Sequence, residues 1–241
     1  MIVIIILLLI ALSPCLFFLW YFYHRDKYDP EPKKKILTIY LAGAIMVIPA
    51  AVLEMLLIEG LNHVTTGFLN ILVMSFIIIA PIEELTKFLI VKRWIYRSLE
   101  FNEVMDGIVY TVSASLGFAT AENIFYVLTQ GIHVGIARAF LAVPGHACFG
   151  ALMGYYIGLA KFDKVQETKR ILQGIILAII THGLYDFLVL SGTTFAALAV
   201  FFIITLGFLV RWQLKKAELL SMKKSDSERA PPNDRSQTAS P

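Results

Sequence analysis

The chain has 241 residues, of which 58% are hydrophobic and 16% charged, with a mean hydropathy of +0.72 and a formal net charge of +3. A soluble domain of this length cannot hide that much apolar surface, so an ordinary globular enzyme is excluded and lipid must be part of the solvent. The positive charge sits in the connections between apolar runs, with no basic stripe interleaved with aromatics, so a nucleic-acid partner is excluded too.

Seven segments reach or approach the roughly 20 apolar residues that a bilayer core about 30 Å thick requires. They span roughly 2–23, 36–58, 68–90, 105–128, 135–158, 171–190 and 194–212. Each run is continuous and lacks the alternation of barrel strands, which gives an all-α, polytopic transmembrane bundle of about seven helices. The first segment has no basic n-region and no small-x-small cleavage site, and it runs past Trp20 and Tyr23 into a basic connection. It reads as an anchor helix. Asp29-Pro30-Glu31-Pro32 closes that connection. Cys15 and Cys148 lie in apolar runs and read as small core hydrophobes, with no disulfide framework or cysteine zinc site. Glu54, near the end of the second helix, is expected to snorkel outward.

The third helix carries Glu83-Glu84-Leu85-Thr86-Lys87 after Pro81. Glu83 and Lys87 share a face in the favoured order, while Glu84 points about 100° away. One glutamate can therefore pair with Lys87 while the other faces a site. In the fourth helix, Phe118, Glu122 and Tyr126 stack on one face beside Asn123, and Ala114, Gly117, Ala119 and Ala121 permit close helix approach. The fifth begins with Arg138 near its outer end, expected to pair with Glu54 or a lipid phosphate. It continues through Pro144-Gly145-His146, where a kink beside His146 is expected. The sixth holds His182 and Asp186, four apart on one face, before a turn at Ser191-Gly192. His24, His63 and His133 fall in connections and are expected to be solvated. Residues 1–212 form the bundle, and 213–241 are expected to form a cytoplasmic tail, disordered because Ser, Pro and Lys dominate its later part.

Apart from Lys87 and Arg138, every one of the 21 Lys and Arg residues falls in the odd-numbered connections or from Arg211 onward. The positive-inside rule then places the N-terminus outside and the C-terminus in the cytoplasm. At 1.5 Å per residue, Glu83, Glu122, His146 and His182 all lie about 14–25 Å into the membrane from its cytoplasmic face. A charge at such depth costs about 2.5–3.5 kcal/mol on insertion scales and persists when it pairs or performs chemistry. A membrane-end ion pair, a helix-packing network or a paired His–Asp would each account for one motif. Four motifs in one slab point to a site. No His-Glu-x-x-His helix, no Gly-x-Ser-x-Gly elbow and no Gly-x-Gly-Asp partner for Tyr185-Asp186 is present. Glu83 or Glu84, Glu122, His146 and His182 suit either a zinc ion or a metal-free site in which a glutamate activates water.

At these residues the chain resembles the PrsW family, bacterial intramembrane proteases related to the type II CAAX-prenyl endopeptidases. The resemblance rests on Glu83-Glu84-x-x-Lys87, Phe118-x-x-x-Glu122, His146 and His182-x-x-x-Asp186, in family order over about residues 1–212. It implies a multi-pass protease of the bacterial cell membrane, whose partners are the lipid bilayer and a single-span substrate, an anti-sigma factor that receives its first (site-1) cut. It implies that the double glutamate activates water and that His182 with Asp186 polarises the scissile carbonyl. The CAAX relatives carry His where this chain has Glu122, and Arg one position after Lys87. The catalytic set expected on this basis is Glu83, Glu84, Glu122, His146, His182 and Asp186, supported by Lys87, Phe118, Asn123 and Tyr126. A zinc ion, if one is used, would take Glu83, Glu122, His146 and His182. The competing readings are a CAAX-type processing protease, a non-catalytic scaffold and a proton-coupled transporter, although no internal repeat of the transporter kind is visible.

Overall fold

The computed structural model describes residues 2–229, without the side chains of 193, 194, 228 and 229. Among the described residues, seven helices of membrane-spanning length and apolarity follow one another. They are α1 (Ile2–Tyr23), α2 (Lys33–Asn62), α3 (Gly67–Trp94), α4 (Val104–Gln130), α5 (Ile132–Phe162), α6 (Glu167–Leu190) and α7 (Thr193–Arg229). No strand occurs among the described residues. The turns fall where the chain offers them. Pro32 precedes α2, and Gly131 and Gly192 take positive φ after α4 and α6.

α4 is the central post. In its most apolar stretch 94% of residues are buried, against 11% in α1, and it packs on α5, α2 and α1. Its small residues explain that position. A Cβ at Gly117 would overlap the backbone carbonyl of Tyr40 in α2, and one at Gly154 in α5 would overlap the carbonyl of Gly107 in α4. Lipid offers helices no hydrophobic drive to associate, so close backbone approach supplies the attraction. The Tyr40 hydroxyl then meets Thr120 Oγ1 at 2.6 Å, and Ser115 Oγ donates to the His146 carbonyl at 2.7 Å. Gly117→Val should therefore cost at least about 1–3 kcal/mol, because backbone cannot yield as a side chain would. A fall of several degrees in the unfolding midpoint in detergent is the expected reading, and an unchanged midpoint would contradict this packing.

Three local features depart from the sequence expectations. α5 breaks at Leu141, separating Ile132–Phe140 from Ala142–Phe162, one turn before the expected kink. Pro144 has no N–H for the Phe140 carbonyl and its ring crowds that group, so the strain is released there. α3 contains a π-helical stretch, Met74–Ile79, immediately before the Ala80–Trp94 segment that carries the glutamates. Its wider turn accommodates Pro81, which cannot donate to the preceding turn. α7 does not end at 212 but stays helical to Arg229. The expected disordered tail is corrected to that extent, because Val210, Leu214, Ala217 and Ser221 recur at helical spacing and are buried. Arg25 also pairs with Glu218 at 2.9 Å. Residues 230–241 of that tail lie outside the described residues. His24, His63 and His133 are exposed, and both cysteines are free and buried, as the sequence suggests.

Candidate active site

The Ala80–Trp94 segment of α3 brings Glu83, Glu84 and Lys87 to the middle of the bundle. Lys87 Nζ lies 2.9 Å from Glu83 Oε2, 2.8 Å from Glu84 Oε1 and 3.1 Å from His146 Nδ1. It is wholly buried, with the Phe118 ring centroid at 4.6 Å. The expectation that only one glutamate pairs with Lys87 is thus replaced by a shared cation. Its three N–H groups face three acceptors, which is how an ammonium survives burial.

The two glutamates differ in what else they meet. Glu84 is fully enclosed, and its Oε1 lies 2.8 Å from His182 Nδ1. Glu83 lines a cavity of about 470 Å³ between α2 and α4, with Glu54, Phe118, Glu122, Phe125 and Tyr126. Ile48, Val52 and Phe125 at its edge are exposed on the outer surface of the bundle, so the cavity opens sideways, toward lipid. A larger groove of about 540 Å³ between α1 and α5 has no ionisable residue in its wall.

Glu122 Oε2 lies 3.0 Å from His146 Nε2 and 3.1 Å from Arg138. Arg138 Nε donates to Asn123 Oδ1 at 2.7 Å, and the guanidinium lies 4.1 Å from the Tyr126 ring centroid. Two expectations are corrected here. Arg138 pairs with Glu122 rather than Glu54 or lipid, because the Leu141 break turns the Ile132–Phe140 segment back against α4. Glu54 does not snorkel outward. It is half-buried in the cavity wall, and its Oε1 has no hydrogen-bond partner among the described residues. No spacing within α2 signals this, since only the α2–α4 approach decides it.

His182 stacks on Phe149, with ring centroids 4.8 Å apart and planes at 16°. Its Nδ1 hydrogen goes to Glu84, which fixes the tautomer and leaves a lone pair on Nε2. That Nε2 faces Asp186 Oδ2 at 3.4 Å and Glu83 Oε2 at 3.9 Å. Asp186 Oδ2 is buried without a hydrogen-bond partner among the described residues. An imidazole nitrogen and a carboxylate oxygen that lacks a donor, 3.4 Å apart, are ligand types that suit Zn²⁺. Ligand atoms of Glu83, Glu84 and His182 lie within 4.8 Å of one another, as do those of Glu83, Glu122 and His146. The four residues named from sequence as metal ligands thus fall in two overlapping groups that share Glu83. His146 fits a metal less well than His182. Lys87 can only donate to its Nδ1, so its Nε2 carries the hydrogen, 3.0 Å from Glu122 Oε2.

All six residues expected to be catalytic and all four expected to support them are therefore contiguous. The family model described as PrsW family intramembrane metalloprotease matches residues 31–211. The protein named Protease PrsW from Geobacillus kaustophilus is 35% identical over 211 residues, covering 86% of this chain and 90% of its own length. Its namesake from Bacillus subtilis is 33% identical over 214 residues, covering 88% of this chain and 95% of its own. The one from Clostridioides difficile is 32% identical over 190 residues, covering 76% and 79%. No solved structure matches the chain.

Proposed function

The chain belongs to the PrsW family of intramembrane metalloproteases, bacterial membrane peptidases, and from that membership we propose that it makes the first (site-1) cut in a single-span, membrane-anchored anti-sigma factor. That cut would contribute to the release of an envelope-stress sigma factor. The observation that carries this reading is the depth of the site. Glu122 lies about 12 Å along α4 from Gln130 but about 27 Å from Val104 at 1.5 Å per residue. Glu54 lies about 12 Å from the end of α2 at Asn62 by the same measure. Both near ends belong to connections without Lys or Arg, which the positive-inside rule assigns to the outer face. Glu83, by the same measure, lies about 17 Å from Trp94 and about 24 Å from Gly67, so the site runs from mid-membrane into the outer half. A cut there suits a site-1 protease, whereas CAAX processing of a cytoplasmic prenylated tail would need a site at the cytoplasmic face.

Glu83 is the residue that takes the proton from the attacking water, because it is the glutamate that faces the cavity. It returns that proton to the leaving amine. Glu84 is a positioning residue that holds His182 by Nδ1. Glu122, held by Arg138 and His146, fixes the far side of the cavity. Asp186 with His182 holds the scissile carbonyl. A metal ion here would be held by His182 Nε2 and Asp186, and when bound it would supply Lewis-acid polarisation and a more acidic water, leaving Glu83 as the base. The open edge between Ile48 and Phe125 admits an unwound stretch of a single-span helix from the lipid.

The test is cleavage of a single-span anti-sigma substrate in proteoliposomes, with the cut position sequenced. A cut in the outer half of the span, lost on treatment with a chelator and restored by Zn²⁺, is expected. Cleavage at a prenylated cytoplasmic terminus would reject the anti-sigma reading. Full activity after exhaustive chelation would reject the metal.

A further inference from the structure

At the other end of the bundle lies a second group of buried carboxylates. Asp26 and Glu31 come from the α1–α2 connection, and Glu103 and Asp106 from the start of α4. Each is less than 5% exposed. One oxygen of each is engaged. Asp26 Oδ2 accepts the Glu31 N–H at 3.2 Å, and Asp106 Oδ2 accepts the N–H groups of Asn102 and Glu103 at 2.6 Å. Glu31 Oε2 accepts the Tyr110 hydroxyl, and the Glu103 side chain caps α4 with its Oε1 3.8 Å from Lys224 Nζ. The other oxygens, Asp26 Oδ1, Glu31 Oε1, Glu103 Oε2 and Asp106 Oδ1, are buried and have no hydrogen-bond partner among the described residues. Native proteins rarely leave such atoms unsatisfied, and four in one place call for a ligand.

Ligand atoms of Asp26, Glu103 and Asp106 lie within 4.8 Å of one another. Oxygens at 2.3–2.6 Å from a common centre can be no farther apart than about 5 Å, so the spacing suits one hard cation. No nitrogen or sulfur is among these ligands, which favours Ca²⁺, Mg²⁺ or Mn²⁺ over Zn²⁺. We infer that Asp26, Glu103 and Asp106, with the Glu31 carboxylate beside them, bind a hard divalent cation at the end of the bundle opposite the protease site. The ion would tie the α1–α2 connection to the start of α4 and to the Lys224 stretch of α7. The inference does not depend on the protease reading.

Proton binding is the alternative way to relieve the cluster. Burial, reinforced by the charges of Asp106 and Glu103, raises the Asp26 carboxyl to about 8. Burial and the charge of Asp106 raise Glu31 to about 9. Both folded values lie above the unfolded ones, so ion-free protein loses stability as pH rises from about 4 toward about 9. The groups that face the cluster are Asp29, Tyr110, Lys161 and Lys224. A bound cation removes that slope by holding the carboxylates ionised.

The experiment uses the full chain in detergent, freed of metal, with Tb³⁺ as probe. Tyr110, bonded to Glu31, is placed to sensitise it. Expected is one sensitised site per chain, displaced by Ca²⁺, Mg²⁺ or Mn²⁺ at about millimolar concentration or below. Asp26→Asn should weaken it by about tenfold or more, and Glu83→Gln, in the protease site, should not change it. Asp26 is the primary variant because Asp106→Asn also disturbs the α4 cap. Displacement by none of the three ions, or equal affinity in Asp26→Asn and wild type, overturns the inference in favour of a protonated cluster.

Discussion

Glu83→Gln should lower kcat/KM for a single-span substrate by about 10²–10⁴-fold, the usual contribution of a positioned general base. The protein should remain folded, because Gln keeps an oxygen for Lys87 and the side chain faces the cavity rather than close-packed neighbours. Glu84→Gln should behave differently. Its carboxylate touches no cavity space, and it holds both Lys87 and His182. A neutral amide there can present its NH₂ to His182 Nδ1 and so reverse the tautomer. The loss should then appear largely in kcat, with KM little changed, together with a lower unfolding midpoint. If Glu83→Gln retained wild-type turnover while Glu84→Gln lost it, the assignment of the two adjacent glutamates would have to be exchanged.

Lys87→Met should have the largest effect on stability. The ammonium is buried at 0% exposure between two carboxylates, and removing it leaves both uncompensated in a low dielectric. Breaking a buried pair from one side costs about 3–5 kcal/mol. Loss of folded protein in membranes, or a collapse of the unfolding midpoint in detergent, is the expected observation. Adding Glu84→Gln to Lys87→Met should recover part of that stability, since the second change removes one stranded charge. It should not recover cleavage, because His182 loses its anchor. A Lys87→Met protein as stable as wild type would mean that Lys87 is not the counter-ion of this site.

The family membership sharpens what the buried ions are for. Lys87 joins α3 to α5 through His146, His182 joins α6 to α3 through Glu84, and Glu122 joins α4 to α5. These links hold four helices in register around the cavity wall, so the residues that would perform the chemistry also fix the bundle. Chemistry placed on rigid helices keeps its geometry better than chemistry on loops. The price is sensitivity: most substitutions here should affect folding and catalysis together, and the cavity-facing Glu83 is the main exception.

Much was legible in the chain itself. Seven apolar runs of bilayer length specify seven helices, because in lipid each segment must satisfy its own backbone. Helical periodicity puts Glu83 with Lys87, Glu122 with Phe118 and Tyr126, and His182 with Asp186, since such pairs lie within one or two turns. Small residues along α4 mark the central post. The distribution of Lys and Arg yields an expected orientation by a rule that needs no structure. Contacts between helices obey no such local rule. Which glutamate faces the cavity, the capture of Arg138 by Glu122, the inward turn of Glu54 and the carboxylates joined from residues 26, 31, 103 and 106 all depend on helix rotation and on breaks at Leu141 and in the π-helical stretch of α3. Sequence determined which residues each helix carries on each face, because helical geometry is local. Only the tertiary structure decided which faces meet, because that is set by backbone packing between segments distant in the chain.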